Sequence, residues 1–412
     1  MKTKKHSYKW VHAAAGVLVL MLAGMVYAWS VLSAPIASDY PQWTQTQLSF
    51  TFTLVMLMFC VGCMVGGLVS SRIKPPRCVQ ISATLFLVGF LLAAQAHSLL
   101  LLYIGFGGLC GFASGFAYNA VLSSIRLWYP DHQGLISGIL LMGFGIGAFL
   151  IGKGYQAYTP QELGGWRRAF SVLGVMIFLV LAACSFWIVR PAQAQTGMQR
   201  STGGAREYPP QRMLRTTHFW LYYLWVITLS TAGLALVSQA GGIAREVGVT
   251  QSAARIATAV GLISVANGVG RVILGFLYDR IGRRLTMLAI CVLYFAAGGI
   301  LLLALARHSF PLVVFGFVLG GLGYGGVNPT NSAFILSYFG SRNYPVNFSL
   351  INTNLLLSSF GGTIAGALYD HSRSYQSCYV MFLALTAAAV LLSMLITRMD
   401  KRAYGNKNTE RM

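Results

Sequence analysis

The sequence is organised around residues 260–284, which read VGLISVANGVGRVILGFLYDRIGRR. The stretch begins as an apolar helix, carries Arg271 within that helix and ends in a basic cluster. A charged side chain at membrane depth is costly and marks a functional site by default. Asn267 lies four residues earlier, on the same helix face, and Gly268 and Gly270 leave room for a close neighbour. Arg271 is therefore the first candidate for a functional residue.

The composition is that of a membrane protein. Of the 412 residues, 56% are apolar and 9% are charged, whereas a soluble globular chain carries about 25% charged residues. Apolar runs of about 20 residues, long enough to cross a bilayer as a helix, recur along the chain. The predicted fold class is an all-α polytopic membrane protein.

The net charge of +21, from 30 basic and 9 acidic residues, does not indicate nucleic-acid binding. The basic residues lie between apolar runs rather than along a stripe, and no nucleic-acid motif is present. Retention of positive charge on the cytoplasmic side explains this distribution better. With the N-terminus inside, most Lys and Arg residues fall on the inner side. We therefore expect a multi-pass protein of the bacterial inner (plasma) membrane with both termini in the cytoplasm.

We predict twelve membrane-spanning helices in two pseudo-symmetric six-helix halves. The halves are residues 1–190 and 216–412, and the second ends in a short basic tail. A cytoplasmic linker rich in turn-forming residues, 191–215, joins them. The predicted spans lie at about 11–34, 49–71, 78–96, 98–124, 134–156, 167–189, 216–240, 253–277, 285–306, 310–336, 345–369 and 375–397.

The two halves also repeat in sequence. The stretch GLVSSR at residues 67–72 aligns with GFLYDR at residues 275–280, and Trp10 opens the first half as Trp220 opens the second. Two repeats related by an axis along the membrane normal, with a substrate site near the midplane, are typical of secondary transporters.

The distribution of acidic residues indicates an anionic ligand. All nine acidic residues fall in predicted loops or at the ends of predicted spans. Within the predicted spans, Arg271 therefore has no carboxylate as a counter-ion. An anion bound by the guanidinium fork through two hydrogen bonds can take that place.

Several tyrosines and asparagines could complete such a site. Their hydroxyls and amides could fix a second carboxylate oxygen or a substrate hydroxyl. The alternative is ordinary packing or hydrogen bonding between helices. The candidate substrate-binding residues, besides Arg271, are Tyr27, Tyr118, Asn119, Asn267, Tyr324, Asn328 and Asn352.

A second group of residues is a candidate for gating. We expect Asp279, Arg280, Arg283 and Arg284 to latch the two halves on the cytoplasmic face. Lys153, near the outer end of span five, could attract anions to an outer gate. Its alternative role is to extend its charged end to the membrane interface.

The stretch GFLYDRIGRR at residues 275–284 resembles the loop signature of the major facilitator superfamily of transporters. Arg271 with Asn267, WYPDHQGLISG at residues 128–138 and FGSRNY at residues 339–344 look like the oxalate:formate antiporter family and its monocarboxylate-transporting relatives. The resemblance implies the major facilitator fold and secondary transport by alternating access. It also implies that the arginine of the eighth helix binds the substrate carboxylate.

The resemblance also bears on the substrate. Family members that carry oxalate have a lysine in helix eleven for the second carboxylate. The predicted span 345–369 has no Lys or Arg and contains Asn347, Asn352 and Asn354 instead. One cation suits one carboxylate, so we expect lactate, pyruvate, formate or another short monocarboxylate. Exchange and proton symport both stay open, because relatives that can couple to protons have an acid where this chain has Asn267.

The alternative functions are an oxalate/formate antiporter, a multidrug exporter, a membrane-embedded enzyme and a sensor. An oxalate/formate antiporter and a multidrug exporter share the fold, but export of cationic drugs usually uses a carboxylate within the membrane. The sequence has no motif of a zinc hydrolase, serine hydrolase or nucleotide-binding enzyme, so we expect no enzymatic activity. A sensor without transport is not distinguished by sequence. We expect a small organic anion and the lipid bilayer as partners, a functional monomer, and no nucleic acid, cofactor or metal.

Overall fold

The computed structural model describes residues 2–43, 45–160, 162–191, 207–248 and 253–409, and a few side chains within these ranges are not described. The described residues form helices joined by short connections and contain no strand. An apolar chain in lipid must satisfy its backbone hydrogen bonds within each segment, and the α-helix does so. The chain divides into two compact units, each described below by itself.

Unit 1 comprises Met1–Ala205 and Gly340–Asn352. Its helices are α1 (Lys2–Ala23), α2 (Trp29–Leu32), α3 (Ala34–Asp39), α4 (Gln45–Val69), α5 (Pro75–Ala94), α6 (Leu99–Leu102), α7 (Gly111–Ile125), α8 (Gln133–Tyr158), α9 (Gly165–Ser185) and α14 (Tyr344–Asn352). Short 3₁₀ segments cover Gly24–Ala28 and Arg126–Trp128, and a π-helix covers Tyr103–Cys110.

Unit 2 comprises Arg206–Phe339 and Thr353–Met412. Its described helices are α10 (Pro210–Met213), α11 (Thr217–Val247), α12 (Ala253–Ala306), α13 (Phe310–Phe339), α15 (Asn354–Ser358), α16 (Phe360–Ser372) and α17 (Gln376–Thr409). The most extensive helix–helix contact in this unit joins α12 to α13.

Unit 1 has an aromatic core. Phe90 packs edge-on against Phe106 and Phe170, with ring centroids 5.7 and 5.5 Å apart. All three side chains are fully buried. Helix α14 packs in the same unit against α4 and α7, although the residues before and after the segment Gly340–Asn352 belong to unit 2.

Unit 2 is held by stacked aromatic rings at its buried helix faces. Tyr222 of α11 stacks on Phe334 of α13 with ring centroids 3.5 Å apart, and Tyr294 of α12 stacks on Phe382 of α17 at 5.0 Å. Offset or stacked aromatic pairs add about 0.5–1.5 kcal/mol each beyond the area they bury. These contacts fix α11, α12, α13 and α17 relative to one another.

Ten helices of the described residues are long and apolar enough to cross a membrane. Helix α12 covers two of the twelve predicted spans, 253–277 and 285–306. The predicted span 345–369 falls on the shorter helices α14, α15 and α16. The predicted class, an all-α polytopic membrane protein, is confirmed. The division into residues 1–190, 191–215 and 216–412 stays a prediction.

Two helix breaks have clear local causes. The first predicted span is interrupted at Gly24, where a 3₁₀ segment follows α1. Helix α3 begins with Pro35 in its first turn, where a missing amide hydrogen costs no helical bond. Helix α12 is broken at Gly282, whose φ is 75° and ψ 176°. That region of backbone conformation is open essentially only to glycine. The glycine of the loop signature is thus required by the bend that separates the two spans of α12.

We expect Gly282→Ala to destabilise the protein by about 1–3 kcal/mol, because a Cβ disfavours the observed backbone angles. The measurement is thermal unfolding of the purified protein in detergent. The matched control is Gly299→Ala in the same helix, where a Cβ would meet open space. An interior helical glycine gains about 0.5–1 kcal/mol on conversion to alanine, so this control should not lower the melting temperature. Equal melting temperatures for the two variants would contradict the prediction.

Candidate functional site

The side chains of Arg271 and Asn267 contact each other on one face of α12. The Nε of Arg271 donates a hydrogen bond to the Oδ1 of Asn267 over 3.0 Å. Both side chains are half-buried. Residues four apart are neighbours on a helix surface, so the local sequence alone places this amide against this guanidinium.

The backbone of the same turn packs directly against α13. A Cβ at Gly325 would overlap the carbonyl oxygen of Asn267 and lie 3.0 Å from the backbone nitrogen of Arg271. On the other helix, a Cβ at Gly270 would overlap the carbonyl oxygen of Leu322. Glycines at both contact points let the two backbones touch. This close approach fixes the position of the Asn267–Arg271 turn relative to α13.

Helix α13 brings two further candidate residues to this region of unit 2. Tyr324 is half-buried, packs onto Gly233 of α11 and lies within electrostatic range of Arg271. Asn328 follows one turn later and is also half-buried. Residues four apart share a helix face, so Tyr324 and Asn328 present their polar groups along the same side of α13.

Proline adds a polar backbone group to the same part of α13. Pro329 lies inside the helix and has no amide hydrogen, so the carbonyl of Gly325 lacks its usual helical donor. That carbonyl belongs to the residue packed against the Asn267–Arg271 turn. Unit 2 therefore gathers a guanidinium, side-chain amides, a phenol and a carbonyl without its usual helical donor around the α12–α13 contact.

In unit 1, the candidate Tyr118 is buried in an aromatic cluster. Its ring lies 5.2 Å from that of Phe59, 5.3 Å from Phe144 and 5.8 Å from Phe348 of α14. Only 4% of the residue is exposed. These contacts are of the packing kind, and a role of Tyr118 in substrate binding stays a prediction.

The candidates Asn119 and Asn352 of unit 1 bond to protein groups. The Nδ2 of Asn119 donates to the carbonyl of Pro345 over 2.8 Å and to the Sγ of Cys63 over 3.6 Å. The Nδ2 of Asn352 donates to the carbonyl of Phe348 over 2.9 Å and lies 4.0 Å from the same sulfur. The bond from Asn119 to Pro345 joins α7 to α14, which is the interhelical role considered above. A role of either amide in substrate binding stays a prediction.

Tyr27 and Lys153 are the two remaining candidates in unit 1. The side chain of Tyr27 lies outside the described residues, and its backbone belongs to the 3₁₀ segment Gly24–Ala28. Lys153 is exposed on α8, which fits both roles considered for it.

The predicted gating residues lie around the break in α12. Arg280 and Arg284 are exposed and Asp279 is half-buried. Arg283 forms an ion pair with Asp400 of α17, and the hydroxyl of Tyr338 donates to the other oxygen of Asp400 over 2.6 Å. Arg283 is thus held within unit 2, by an acid that lies more than a hundred residues further along the chain.

From the sequence, Arg126 is expected to mark the inner side of the membrane and contact lipid headgroups, whereas the structure buries it. Arg126 is 1% exposed at the end of α7, and its guanidinium carbon lies 3.2 Å from the ring centroid of Tyr344 in α14. A guanidinium over an aromatic face is stabilised by the ring quadrupole. In sequence, Arg126 resembles any basic residue after an apolar run, so only the fold separates it from residues that mark the cytoplasmic side.

These features define a polytopic membrane protein with a half-buried arginine at a helix contact. The sequence model of the Major Facilitator Superfamily matches residues 14–240 and 224–412. The chain belongs to the Major Facilitator Superfamily.

Relatives and solved structures agree with this assignment. The chain is 25% identical to the uncharacterized MFS-type transporter YhjX of Escherichia coli K12, over 83% of this chain and 84% of that protein. It is 24% identical to the oxalate:formate antiporter of Oxalobacter formigenes, over 95% and 93%. Monocarboxylate transporter 12 of Mus musculus is 28% identical over 38% of this chain and 30% of its own. The resemblance to oxalate:formate and monocarboxylate transporters is confirmed.

The fold is shared with solved transporters of the superfamily. The structure of FucP in the outward conformation matches with a TM-score of 0.70, covering 94% of this chain and 99% of that one. The proton:xylose symporter XylE matches with a TM-score of 0.71, covering 95% and 96%. At 13% identity in both cases, these matches support the fold and carry no inference about the substrate. The major facilitator fold predicted from sequence is confirmed.

We expect Gly325→Ala to reduce transport, because its Cβ would push α13 away from the turn that carries Arg271. Overpacking of this kind costs about 1–3 kcal/mol. Initial uptake rates and melting temperatures of the reconstituted protein measure the effect. The control is Gly261→Ala in α12, where a Cβ would meet open space. Transport by Gly325→Ala at the rate of that control would contradict the prediction.

Proposed function

We propose that the protein is a secondary active transporter of small organic anions, chiefly monocarboxylates of the lactate, pyruvate and formate class. The observation that carries the proposal is the half-buried guanidinium of Arg271, held by a neutral amide on α12. The relatives named as an oxalate:formate antiporter and a monocarboxylate transporter support the same substrate class. On this proposal the chain is a carrier and not an enzyme.

In the proposed mechanism, Arg271 pairs with the substrate carboxylate. The hydrogen bond that Arg271 donates to the Oδ1 of Asn267 orients the guanidinium without cancelling its charge, because the amide is neutral. A bound carboxylate then supplies the counter-charge, and charge-assisted hydrogen bonds between the two are about twice as strong as neutral ones. The loaded site is close to neutral and is carried across the membrane by alternating access. Tyr324 and Asn328 are the proposed partners of the remaining polar groups of the substrate.

The basic residues of the chain suit a substrate with one carboxylate better than a substrate with two. Between Arg342 and Arg373 the sequence contains no Lys or Arg, and this range includes α14, α15 and α16. A second substrate carboxylate would therefore lack a basic residue from these helices. Leaving a carboxylate buried and unpaired is strongly unfavourable.

The runner-up proposal is an oxalate/formate antiporter, which the similarity to the Oxalobacter formigenes protein favours. Multidrug export by the same fold is the weaker alternative. Exchange and proton symport are both compatible with the residues around Arg271. We further propose that the protein acts as a monomer in a bacterial inner membrane, with both termini in the cytoplasm.

We expect Arg271→Lys to lower lactate transport by about tenfold or more, because lysine keeps the charge but loses the planar fork. Arg271→Ala should abolish transport. Lactate counterflow in liposomes measures both variants, and size-exclusion profiles check that each protein is folded. Arg255→Lys is the matched control, since Arg255 is exposed on the same helix. Transport by both Arg271 variants at the rate of the control would rule out Arg271 as the carboxylate ligand.

We expect oxalate to be a poor substrate, because α14, α15 and α16 carry no basic residue for its second carboxylate. Counterflow against a panel of acids with one to four carbons, including formate, lactate, pyruvate and oxalate, tests this. Liposomes with the Arg271→Ala protein give the background rate. Oxalate counterflow as fast as that of lactate or formate would favour the antiporter of oxalate and formate instead.

A further inference from the structure

We propose that residues 70–77 of unit 1 bind the phosphate headgroup of an anionic phospholipid of the surrounding membrane. These residues, the basic turn, link α4 to the first turn of α5 and carry Arg72, Lys74 and Arg77. The acyl chains of the lipid lie along the exposed apolar face of α5. The proposal concerns the lipid-facing surface of unit 1 and does not depend on the substrate that the protein carries.

The basic turn displays three positive side chains without an acidic neighbour. Arg72, Lys74 and Arg77 are all exposed, and none of the residues that the structure describes forms an ion pair with them. The sequence contains no Asp or Glu between Asp39 and Asp131. The positive potential of the turn is therefore open to an anion from outside the chain.

The matching loop of unit 2 differs from the basic turn in its acidic residues. The internal repeat places Ser71 of the basic turn where the loop of unit 2 has Asp279, and Arg283 of that loop pairs with Asp400. The basic turn has three cations but neither acid. An anion that balances this charge comes from the surroundings, which at the end of a membrane-spanning helix are lipid headgroups and water.

Hydrogen bonds to the backbone hold the basic turn in place. The Nη2 of Arg190 donates to the carbonyl of Ser70 over 3.0 Å, and the amide of Arg77 donates to the carbonyl of Lys74 over 3.0 Å. Two prolines open α5, and proline has no amide hydrogen. The N–H donors that this turn offers to a headgroup are therefore those of its side chains.

Arg77 continues an exposed apolar stripe on α5. Ile81, Val88 and Leu91 are 41%, 42% and 37% exposed, and their sequence spacing places them on the same helix face as Arg77. Helix α5 is long and apolar enough to cross a membrane, so this face meets acyl chains. The helix thus presents a cation at the membrane surface next to an apolar stripe, which matches a phospholipid with its charged phosphate next to its chains.

The chemistry of the side chains favours an anionic phospholipid. A guanidinium binds two phosphate oxygens through parallel N–H donors, and basic segments next to the membrane attract the anionic lipids of the cytoplasmic leaflet. The proposed orientation of the chain places the basic turn at that leaflet. Phosphatidylglycerol has a net negative charge, whereas the choline of phosphatidylcholine cancels the charge of its phosphate. A site that recognises charge therefore separates these two lipids.

The test titrates the purified full-length protein with phosphatidylglycerol and with phosphatidylcholine of the same acyl chains, and native mass spectrometry measures the bound lipid. We expect tighter binding of phosphatidylglycerol. Lys74→Gln combined with Arg77→Gln should weaken that binding about thirtyfold, because each basic residue near the surface contributes to the attraction. The matched control is Arg212→Gln combined with Arg215→Gln, which removes two exposed basic residues before α11 and should keep the wild-type affinity.

Four outcomes would overturn the proposal. Equal affinity of the wild type for the two lipids, or wild-type affinity in the variant of Lys74 and Arg77, would mean that these cations do not bind an anionic headgroup. Equal losses in the two double variants would mean that only the net charge of the protein matters. Displacement of phosphatidylglycerol by an equal concentration of sn-glycerol 3-phosphate would mean that the turn binds a soluble phosphate without acyl chains. Size-exclusion profiles check that each variant is folded.

Discussion

A guanidinium within an apolar helix is the constraint on which the rest of this structure depends. Arg271 is half-buried on α12, and a neutral amide four residues away orients it. A charge in a low-dielectric environment is expensive unless it is paired and hydrogen-bonded. The glycines at the α12–α13 contact let the backbone of α13 reach the turn that carries the charge. On the proposed function, a substrate carboxylate supplies the pairing.

The polar groups outside this region serve a different purpose. In unit 1, Arg126 over Tyr344 and the bond from Asn119 to Pro345 attach α14 to α7. In unit 2, Asp400 of α17 holds Arg283, next to the break in α12, and Tyr338, near the end of α13. A hydrogen bond in an apolar setting has no competing water and is correspondingly important for the geometry of the helices. In both units, the charged and polar groups described here hold neighbouring helices together.

Features that depend on local periodicity can be predicted from the sequence, whereas contacts between residues distant in the chain cannot. The helical class and the contact between Arg271 and Asn267 follow from apolar run length and from i,i+4 spacing. The pairing of Arg283 with Asp400, and of Arg126 with Tyr344, joins residues far apart in the chain, and no local pattern marks either partner. The predicted span 345–369 is likewise divided into three helices, with breaks at Thr353 and Ser359. Composition predicts which segments enter the membrane, whereas the positions of helix breaks depend on packing.

On the proposed function, a substrate anion neutralises Arg271. The most direct measurement compares the binding of lactate and lactamide to the purified protein by isothermal titration calorimetry. The two molecules have nearly the same shape, but the amide is uncharged. The account predicts that lactamide binds about 100-fold more weakly than lactate, since it offers no counter-charge to the guanidinium. Equal affinity for the two would contradict the account, because the site would then recognise shape and not charge.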